Sequence, residues 1–443
     1  MTIDSASRDI GDATFQRRRA WTMLVLILAT ALSSIDRQVL GMLLEPIRKE
    51  FGLSDTEIGI LSGPAFTVLY AVLALPLAVL SDRVSRRAVM AASLAAFSAM
   101  SALCGAALSF PMLVLFRMGV AVGEAGVVPS SQAMVADIYP KKELTGAMSR
   151  LYLSQSVGGV LAFLLGGLLI GLVGWRLTLI LLGVPGLAVA VLSLLLLPNR
   201  NSGASRSDGT KQQKTKVPLG RSLGFLWSQR TYRMLTLANA IWSFAGAAIA
   251  LWAAPFIGRA YGLSPLKIGL VMAVAVGLSG AAGLFILGGV AQRKGVADSR
   301  WILWVVAIAL AASVPLAIVT FLTTSGWVAL VTGCLVAFLA ISSQGPVASV
   351  VQLLVPGNMR SVAVAVKHVV VTAIGAGSGP LAVGILNDFF AREFGSQAIR
   401  YSLVLMSLFY ILAALLFYLA SRTFIADAKI AGQWSPAQKG EDA

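Results

Sequence analysis

Residues Pro111–Pro140 read PMLVLFRMGVAVGEAGVVPSSQAMVADIYP, a run that is long and apolar enough to cross a bilayer as one helix. The run contains Arg117 and Glu124, which a rise of about 1.5 Å per residue would bury roughly 10 Å and 20 Å inside. A charge at that depth costs at least about 2.5–3.5 kcal/mol on insertion scales. The two charges share a helix face, and Gly119 and Gly123 allow a second helix to approach closely. This helix is therefore predicted to line a polar cavity.

The composition assigns the chain to the polytopic membrane proteins. Of its 443 residues, 57 % are hydrophobic and only 12 % are charged, and the mean hydropathy is +0.83. Soluble domains carry about 25 % charged residues. The two cysteines, Cys104 and Cys334, lie in apolar runs and imply neither a disulfide framework nor a metal site. Because His368 is the one histidine of the chain, a multi-histidine metal centre is excluded, and no cofactor is expected.

Twelve apolar runs predict an all-α integral membrane protein built from two six-helix bundles, residues 21–197 and 232–420. A retained polar tail, 1–20, precedes the first bundle, since the apolar run after it is too long for a signal peptide. A basic linker, 198–231, joins the bundles and includes a segment, Pro218–Arg230, that suits an amphipathic helix. A polar tail, 421–443, ends the chain. The predicted spans are roughly 21–44, 58–80, 88–109, 111–136, 147–172, 175–197, 232–257, 267–290, 301–322, 327–351, 361–386 and 399–420.

The net charge of +16 follows from the distribution of Lys and Arg among the loops. Most of them lie in the termini and in the loops on the same side as the termini. By the positive-inside rule, both termini are then cytoplasmic and the protein lies in the inner or plasma membrane of the cell. This bias accounts for the basic composition, so nucleic-acid binding is not needed to explain it. The opposite side carries only Arg48, Lys49, Arg176, Arg259, Lys267, Arg392 and Arg400.

The two halves of the sequence repeat. A parallel six-plus-six repeat around a basic linker is a transporter architecture. A Gly-rich phosphate loop of the ATPase type and a nucleophile–base arrangement are both missing from the sequence, which argues against a primary pump and against an enzyme. Three pairs of corresponding positions share an offset of about 210 residues: Trp21 and Tyr232, Asp82 and Gln292, and Arg150 and Arg360.

The chain resembles the major facilitator superfamily over nearly its whole length, and two motifs carry this resemblance. The family's loop Gly-x-x-x-Asp-Arg-x-Gly-Arg-Arg is matched by Ala78–Arg87, AVLSDRVSRR, with small residues at both glycine positions. The helix 5 pattern Gly-x-x-x-Gly-Pro-x-x-Gly-Gly is matched in part by Gly158–Gly167. Within the superfamily, Asp36-Arg37 and Gly123-Glu124-Ala125 are similar to the Spinster-like lipid transporters. The eleventh predicted span, 361–386, differs from the family, because it carries Lys367-His368 where neutral polar residues are expected.

This resemblance implies a monomeric secondary active transporter that works by alternating access, with a substrate site near midmembrane between the two halves. The implied substrate is an amphipathic anionic lipid, such as a lysophospholipid or a phosphorylated sphingoid base. The acids inside the apolar runs predict that the driving ion is the proton. Proton-coupled transport of small organic anions or drugs is the alternative within the transporter class. A non-transporting lipid scramblase or ligand sensor is the alternative from another class.

Intramembrane ionisable residues are candidate functional groups by default. A proton can be taken up or released at a buried carboxylate when its arginine partner changes, which makes Glu124 and Asp36 the predicted proton-coupling residues. The same four charges would also suit a structural ion-pair cluster. The predicted substrate-binding residues are Arg37, Arg117, Lys367 and His368. For the last two, the equally weighted alternative is that Lys367 extends to the headgroups and His368 makes one hydrogen bond.

The cytoplasmic loop after span 2 is predicted to control opening on that side. Family resemblance implies that its acid, Asp82, holds the two halves together on the cytoplasmic side. Asp82 would then meet the positive N-terminal end of the eleventh predicted span, 361–386. A plain topology anchor is the alternative interpretation of the cations in this loop. The predicted gating residues are Asp82, Arg86, Arg150 and Arg360.

Overall fold

A computed structural model describes residues 3–198, 219–356 and 359–433, and the secondary structure within these ranges is helical. The helices of the first half follow the predicted apolar runs, and several extend beyond them. Their bounds are α1 (Ile3–Phe51), α2 (Asp55–Ser62), α3 (Pro64–Arg83), α4 (Arg86–Gly105), α5 (Phe110–Ile138) and α6 (Lys141–Leu196).

The second half begins with a short helix inside the predicted linker and continues with the membrane helices. Two segments of wider π-helical turns, Ala273–Leu278 and Val371–Ala376, interrupt the α-helices, and one 3-10 turn lies at Gly395–Gln397. The α-helices are α7 (Leu219–Ser228), α8 (Arg230–Tyr261), α9 (Pro265–Met272), α10 (Ser279–Ala297), α11 (Trp301–Leu322), α12 (Gly326–Ile341), α13 (Gln344–Leu353), α14 (Arg360–Val370), α15 (Gly379–Phe394) and α16 (Ala398–Gln433).

The number of membrane crossings agrees with the prediction. Ten stretches of the described residues are apolar enough and long enough to cross a membrane. Two of them, Gly146–Leu196 with 51 residues and Val362–Gln433 with 72 residues, are each long enough to cross twice at about 20 residues per crossing. The all-α membrane fold predicted from the sequence is therefore confirmed.

Glycines mark the places where the chain leaves the regular helix. Helix α6 contains one non-helical residue, Gly174, with φ 75°, a left-handed conformation that glycine adopts without steric cost. This break falls between the two spans predicted on either side of it. The second predicted span is divided at Gly63 into α2 and α3. A side chain at Gly63 would lie 2.5 Å from the carbonyl oxygen of Gly377, so the backbones approach closely here.

The chain forms two compact units. The first comprises Met1–Phe51 and Val68–Gly209, and the second comprises Gly52–Thr67 and Thr210–Ala443. Helix α2 thus packs with the second unit although it lies in the first half of the sequence. A Cβ atom at Gly59 or Gly384 would lie under 3.0 Å from the backbone of the facing segment, which shows that α2 and α15 pack closely.

In the first unit, α5 packs against α4 through the glycines predicted to permit close approach. A Cβ atom on Gly123 would lie 2.3 Å from the backbone nitrogen of Phe97, and one on Gly119 would lie 2.7 Å from the sulfur of Met100. The contact at Gly123 is with backbone, so only glycine allows this helix separation there, whereas a side chain at Gly119 would require the Met100 side chain to move. The prediction for these two glycines is confirmed.

Each unit contains the same arginine cap. Arg176 donates from Nη1 to the carbonyl oxygens of Gly105 and Ala107 at 3.1 Å and 2.5 Å, at the end of α4. Arg400 donates from Nη1 to the carbonyl oxygens of Phe321 and Thr323 at 2.8 Å and 2.7 Å, at the end of α11. In both cases the guanidinium satisfies carbonyls that have no partner inside their own helix. The sequence repeat is thus reproduced in the hydrogen bonding.

The last helix is longer than the predicted span, which ends near residue 420. Helix α16 continues to Gln433, because its extension packs against the start of α8. Asp427 is buried, and its Oδ2 atom accepts a hydrogen bond at 2.7 Å from the backbone N–H of Thr231. The carboxylate accepts a hydrogen bond from an N–H that has no partner inside α8. Its negative charge also stabilises the positive end of the α8 dipole. The polar sequence after residue 420 therefore serves to cap α8.

The amphipathic helix predicted in the linker is present as α7. Ser222 and Leu226 are buried against the second unit, whereas Leu223 and Trp227, one turn apart, are 41 % and 69 % exposed. Residues 199–218 of the linker lie outside the described residues.

Candidate functional site

Helix α5 is built to carry charged residues in its middle. Its first turn is capped by Ser109, whose Oγ accepts a hydrogen bond at 3.4 Å from the backbone N–H of Met112, and a proline in that turn requires no N–H partner. The helix then runs for 29 residues. Arg117 and Glu124 are thereby placed well inside the helix, and both are buried.

Helix α1 is fixed beside α6 by hydrogen bonds and by one glycine. The hydroxyls of Thr30 and Ser154 are 2.7 Å apart, and Ser34 Oγ donates to the carbonyl oxygen of Gln155 at 2.7 Å. A Cβ atom on Gly158 would lie 2.6 Å from the carbonyl oxygen of Ala31. Gly158 is the first residue of the motif Gly158–Gly167, which lies on α6. It lets α1 and α6 lie close enough for those bonds to form.

The first buried ion pair joins α1 to α5. Arg117 donates from Nη1 to Asp36 Oδ2, and the two side chains are each 5 % exposed. The other carboxylate oxygen, Oδ1, accepts a hydrogen bond at 2.7 Å from Ser101 on α4. Both oxygens of Asp36 therefore have donors, which is what a buried carboxylate requires in order to keep its charge.

The second ion pair lies on the same two helices but is less complete. Glu124 is fully buried, and its Oε1 accepts hydrogen bonds from Ser33 Oγ and Arg37 Nε. Its Oε2 atom is also buried and accepts no hydrogen bond from the part of the chain that the structure describes. A buried carboxylate oxygen without a donor is costly while the group is ionised. The Glu124 carboxylate is therefore less completely hydrogen-bonded than that of Asp36.

The two arginines differ in their access to solvent. The side chain of Arg37 is 41 % exposed, whereas that of Arg117 is 5 % exposed. The Arg37 guanidinium carbon lies 4.9 Å from the ring centroid of Tyr70, in a cation–π contact. Asp36 and Arg117 also act electrostatically on Glu124, so the four charges form one cluster, with a closed end at Arg117 and an accessible end at Arg37.

The structure brings together the four charged residues that the sequence singled out in the first half. Neighbours in the sequence do not pair: Asp36 binds Arg117, and Arg37 binds Glu124. Sequence reasoning missed Ser33, Ser101 and Tyr70. Ser33 and Arg37 are four residues apart on α1, a spacing that could have suggested a shared partner. Ser101 and Tyr70 carry no local signal.

Lys367 and His368 lie on α14 of the second unit. Lys367 is partly buried and His368 is exposed, as expected for adjacent residues that point about 100° apart on a helix. One turn earlier, the carbonyl oxygen of Ala363 accepts a hydrogen bond at 2.7 Å from the hydroxyl of Tyr232. The π-helical segment Val371–Ala376 begins three residues after His368, and such segments frequently occur at functional sites.

The predicted gating residues do not form one described cluster. The side chain of Asp82 lies outside the described residues. Arg86 donates to the carbonyl oxygen of Ala133 at 3.2 Å and pairs with Asp137, which fastens the start of α4 to the end of α5. Arg150 and Arg360 are exposed, and the guanidinium carbon of Arg150 lies 5.6 Å from the ring centroid of Tyr139.

A further buried cluster, in the second unit, was not anticipated. Arg259 donates two hydrogen bonds to the carboxylate of Asp55, at 2.5 Å and 2.8 Å, and Asn387 Nδ2 donates to Asp55 Oδ2 at 2.9 Å. The Asp388 carboxylate accepts the backbone N–H groups of Asp55 and Thr56 at 3.0 Å and 2.8 Å. The predicted start of the second span at residue 58 left Asp55 in a loop. The available signal was Ser54…Glu57, a capping box that begins α2 one turn earlier.

Metal binding has no support at this site. Across the described residues, no group of three or more His, Cys, Asp or Glu side chains is arranged to hold a metal ion.

Comparison with known proteins points to one class. The sequence pattern of the Major Facilitator Superfamily matches residues 26–370. The chain is 29 % identical over 417 residues to an MFS-type efflux pump of Mycolicibacterium smegmatis, covering 93 % of this chain and 94 % of that protein. It is 27 % identical over 239 residues to the sphingosine-1-phosphate transporter SPNS2 of Mus musculus, covering 53 % of this chain and 43 % of that protein.

A solved structure is similar over almost the full length. A bacterial homolog of the human lysosomal transporter Spinster, in an inward-facing and unoccupied conformation, matches with a TM-score of 0.84 and 28 % sequence identity. The match covers 95 % of this chain and 99 % of that chain. The comparison therefore extends to both halves of the molecule.

The crosswise pairing can be tested by double substitution. Arg117→Gln should lower the stability by about 3–5 kcal/mol, because it leaves Asp36 buried without its counter-ion. Adding Asp36→Asn should restore most of the loss, whereas adding Glu124→Gln should restore little, since Glu124 is paired with Arg37. Thermal unfolding of the purified variants in detergent gives the comparison. Rescue by Glu124→Gln, and not by Asp36→Asn, would contradict the pairing.

Proposed function

Because the chain belongs to the major facilitator superfamily and most resembles its Spinster-like branch, we propose that it is a proton-coupled transporter of an amphipathic anionic lipid. Transport by a carrier is the activity of the family. The substrate and the coupling ion are the new elements of the proposal. The proposed substrates are lysophospholipids and phosphorylated sphingoid bases. The relative named a sphingosine-1-phosphate transporter supports this substrate class.

The observation that carries the coupling proposal is the incomplete pairing of Glu124. Its carboxylate is fully buried and depends on Arg37 and Ser33 for hydrogen bonds, all through one oxygen. If an anion draws Arg37 away, an ionised Glu124 is left buried without a counter-ion, a state that costs several kcal/mol. Taking up a proton removes that cost. Binding of the anion and binding of the proton therefore favour each other, which is the linkage that coupling requires.

Arg37 is the proposed anchor for the substrate headgroup. Its side chain is 41 % exposed and its guanidinium faces the ring of Tyr70, so it combines an accessible charge with an aromatic surface. An amphipathic anion would use both. Arg117 is buried against Asp36, and we assign it to holding the charge of Asp36 in place. Asp36 is the second proposed proton-coupling residue.

Lys367 and His368 are proposed as a second anionic anchor in the second unit. Lys367 is partly buried and His368 is exposed, so both side chains are accessible to a ligand. Asp82, Arg86, Arg150 and Arg360 stay the proposed gating residues. Arg86 belongs to the loop motif Ala78–Arg87. Its supporting contact is the ion pair with Asp137, which fastens the start of α4 to the end of α5.

The proposed setting is the inner or plasma membrane of the cell, with both termini cytoplasmic and the protein acting as a monomer.

Efflux of other amphipathic compounds is a second candidate function. It is favoured by the relative named an efflux pump, which matches 93 % of this chain. Both candidates use the same cluster, and the range of transported compounds distinguishes them. A thermal-shift screen against lysolipids, sphingoid phosphates and organic acids would rank them, since a ligand of the folded state raises its melting temperature.

Glu124→Gln tests the coupling. The variant mimics the protonated acid, so it should fold and exchange substrate across the membrane but lose accumulation driven by a pH gradient. The measurement is flux of a lysophospholipid or sphingoid phosphate in proteoliposomes, with and without an imposed gradient. Glu45→Gln is the control, because Glu45, on α1, also pairs with an arginine, Arg48. Accumulation by Glu124→Gln with the pH dependence of the wild type would refute the coupling role.

Arg37→Ala tests the anchor. Substrate binding should weaken roughly 10- to 100-fold, since hydrogen bonds to charged groups contribute about 1.5–3 kcal/mol. Arg37→Lys should restore binding poorly if the headgroup is held by two guanidinium hydrogen bonds. Direct ligand binding to the purified protein is the readout, and Arg48→Ala, on the same helix, is the control. Unchanged affinity in both Arg37 variants would remove this residue from the site.

A further inference from the structure

A groove in the second unit shares no residue with the charge cluster of α1 and α5. It is formed by α10, α13 and the start of α11, and its volume is about 670 Å³. Clefts that bind small molecules have volumes of about 300–1,000 Å³. The groove is therefore large enough for part of a lipid-sized ligand.

Small residues create the groove and apolar residues line it. Gly288 and Gly295 on α10 face Gly345 on α13, and Ile302 and Leu353 supply apolar walls. A side chain at Gly288 would meet no atom within 4 Å, so the space beside it is open. Leu353 is 50 % exposed although it borders the groove. An acyl chain would cover these surfaces with matching chemistry.

Cations lie at the ends of the helices that form the groove, although none of them lines it. Arg293 and Lys294 are exposed in the last turns of α10, next to groove residues, and Arg300 immediately precedes α11. The Lys294 ammonium lies 4.1 Å from the ring centroid of Trp301. Arg300 Nε is buried and donates to no acceptor among the described residues. Helix ends of this kind lie at the depth of lipid headgroups, where Trp and basic residues concentrate.

The neighbouring acid does not neutralise this charge. Asp298 is the acid between α10 and α11, and its Oδ1 accepts a hydrogen bond at 2.9 Å from the backbone N–H of Arg300. Three cations and one acid leave an excess positive charge beside an apolar groove. Basic pockets between membrane helices bind anionic headgroups.

We propose that this groove binds an anionic membrane phospholipid. Its headgroup lies against Arg293, Lys294 and Arg300, and one acyl chain occupies the space between α10 and α13. The site shares no residue with the transport cluster, so the proposal holds whether or not the transported substrate is a lipid. The bound lipid would fasten the ends of α10 and α13 together in the second unit.

The test uses the full-length purified protein and phosphatidylglycerol or phosphatidylcholine with identical acyl chains. Phosphatidylglycerol should bind to the wild type more tightly than phosphatidylcholine, as measured by native mass spectrometry and by the rise in melting temperature. Arg293→Gln combined with Lys294→Gln should weaken phosphatidylglycerol binding about 25-fold, at about fivefold for each charge. Arg230→Gln combined with Arg233→Gln removes two exposed arginines at the start of α8 and should leave binding unchanged.

The glycines provide a matched pair for the groove itself. Gly288→Leu places a side chain in the groove and should abolish binding, whereas Gly289→Leu should preserve it, because Gly289 does not line the groove. Neither position has an atom within 4 Å of an added Cβ, so both variants should fold. Ser349→Leu, on the α13 wall, should act like Gly288→Leu. Equal binding of the two lipids to the wild type, or equal phosphatidylglycerol binding by the two glycine variants, would overturn the proposal.

Discussion

The burial of three charges, Asp36, Arg117 and Glu124, between α1 and α5 is the constraint on which the first unit depends. Neither Arg117 nor Arg37 can move away without leaving a buried carboxylate unpaired, at a cost of about 3–5 kcal/mol. The crosswise pairs Asp36–Arg117 and Arg37–Glu124 therefore fix the register of one helix against the other. The hydrogen bond from Ser101 extends the same constraint to α4. Glycines on α5 and α6 allow α5 to approach α4 closely and α6 to approach α1 closely.

The two pairs differ in a way that separates structure from function. Asp36 has a donor for each carboxylate oxygen and a partner, Arg117, that is 5 % exposed. Glu124 has its donors on one oxygen and a partner, Arg37, that is 41 % exposed. The solvent-accessible arginine belongs to the second pair. We propose that the first pair holds the helices in place and that the second exchanges its partner. A transporter needs both properties in the same bundle.

The amino-acid sequence predicts the class, the number of membrane helices and the members of the charge cluster. Those features depend on local patterns: apolar runs, the seven-residue spacing of Arg117 and Glu124, and the glycines beside them. It does not predict which acid binds which arginine, because neighbours such as Asp36 and Arg37 point in different directions on a helix. It also misses the Asp55–Arg259 pair, whose members are 204 residues apart. The cap that Asp427 places on α8 is equally non-local, and it explains why a polar tail sequence continues as helix.

Glu124 is, in our proposal, the residue that gains and loses a proton within the cluster. Infrared difference spectroscopy of the protein in lipid, recorded across pH without substrate, measures this directly through the carbonyl band of protonated carboxyl groups. We expect a band from a buried carboxylic acid that appears as the pH falls, disappears in Glu124→Gln and persists in Asp36→Asn. A band that persists in Glu124→Gln, or a wild-type spectrum without a titrating buried acid, would contradict it.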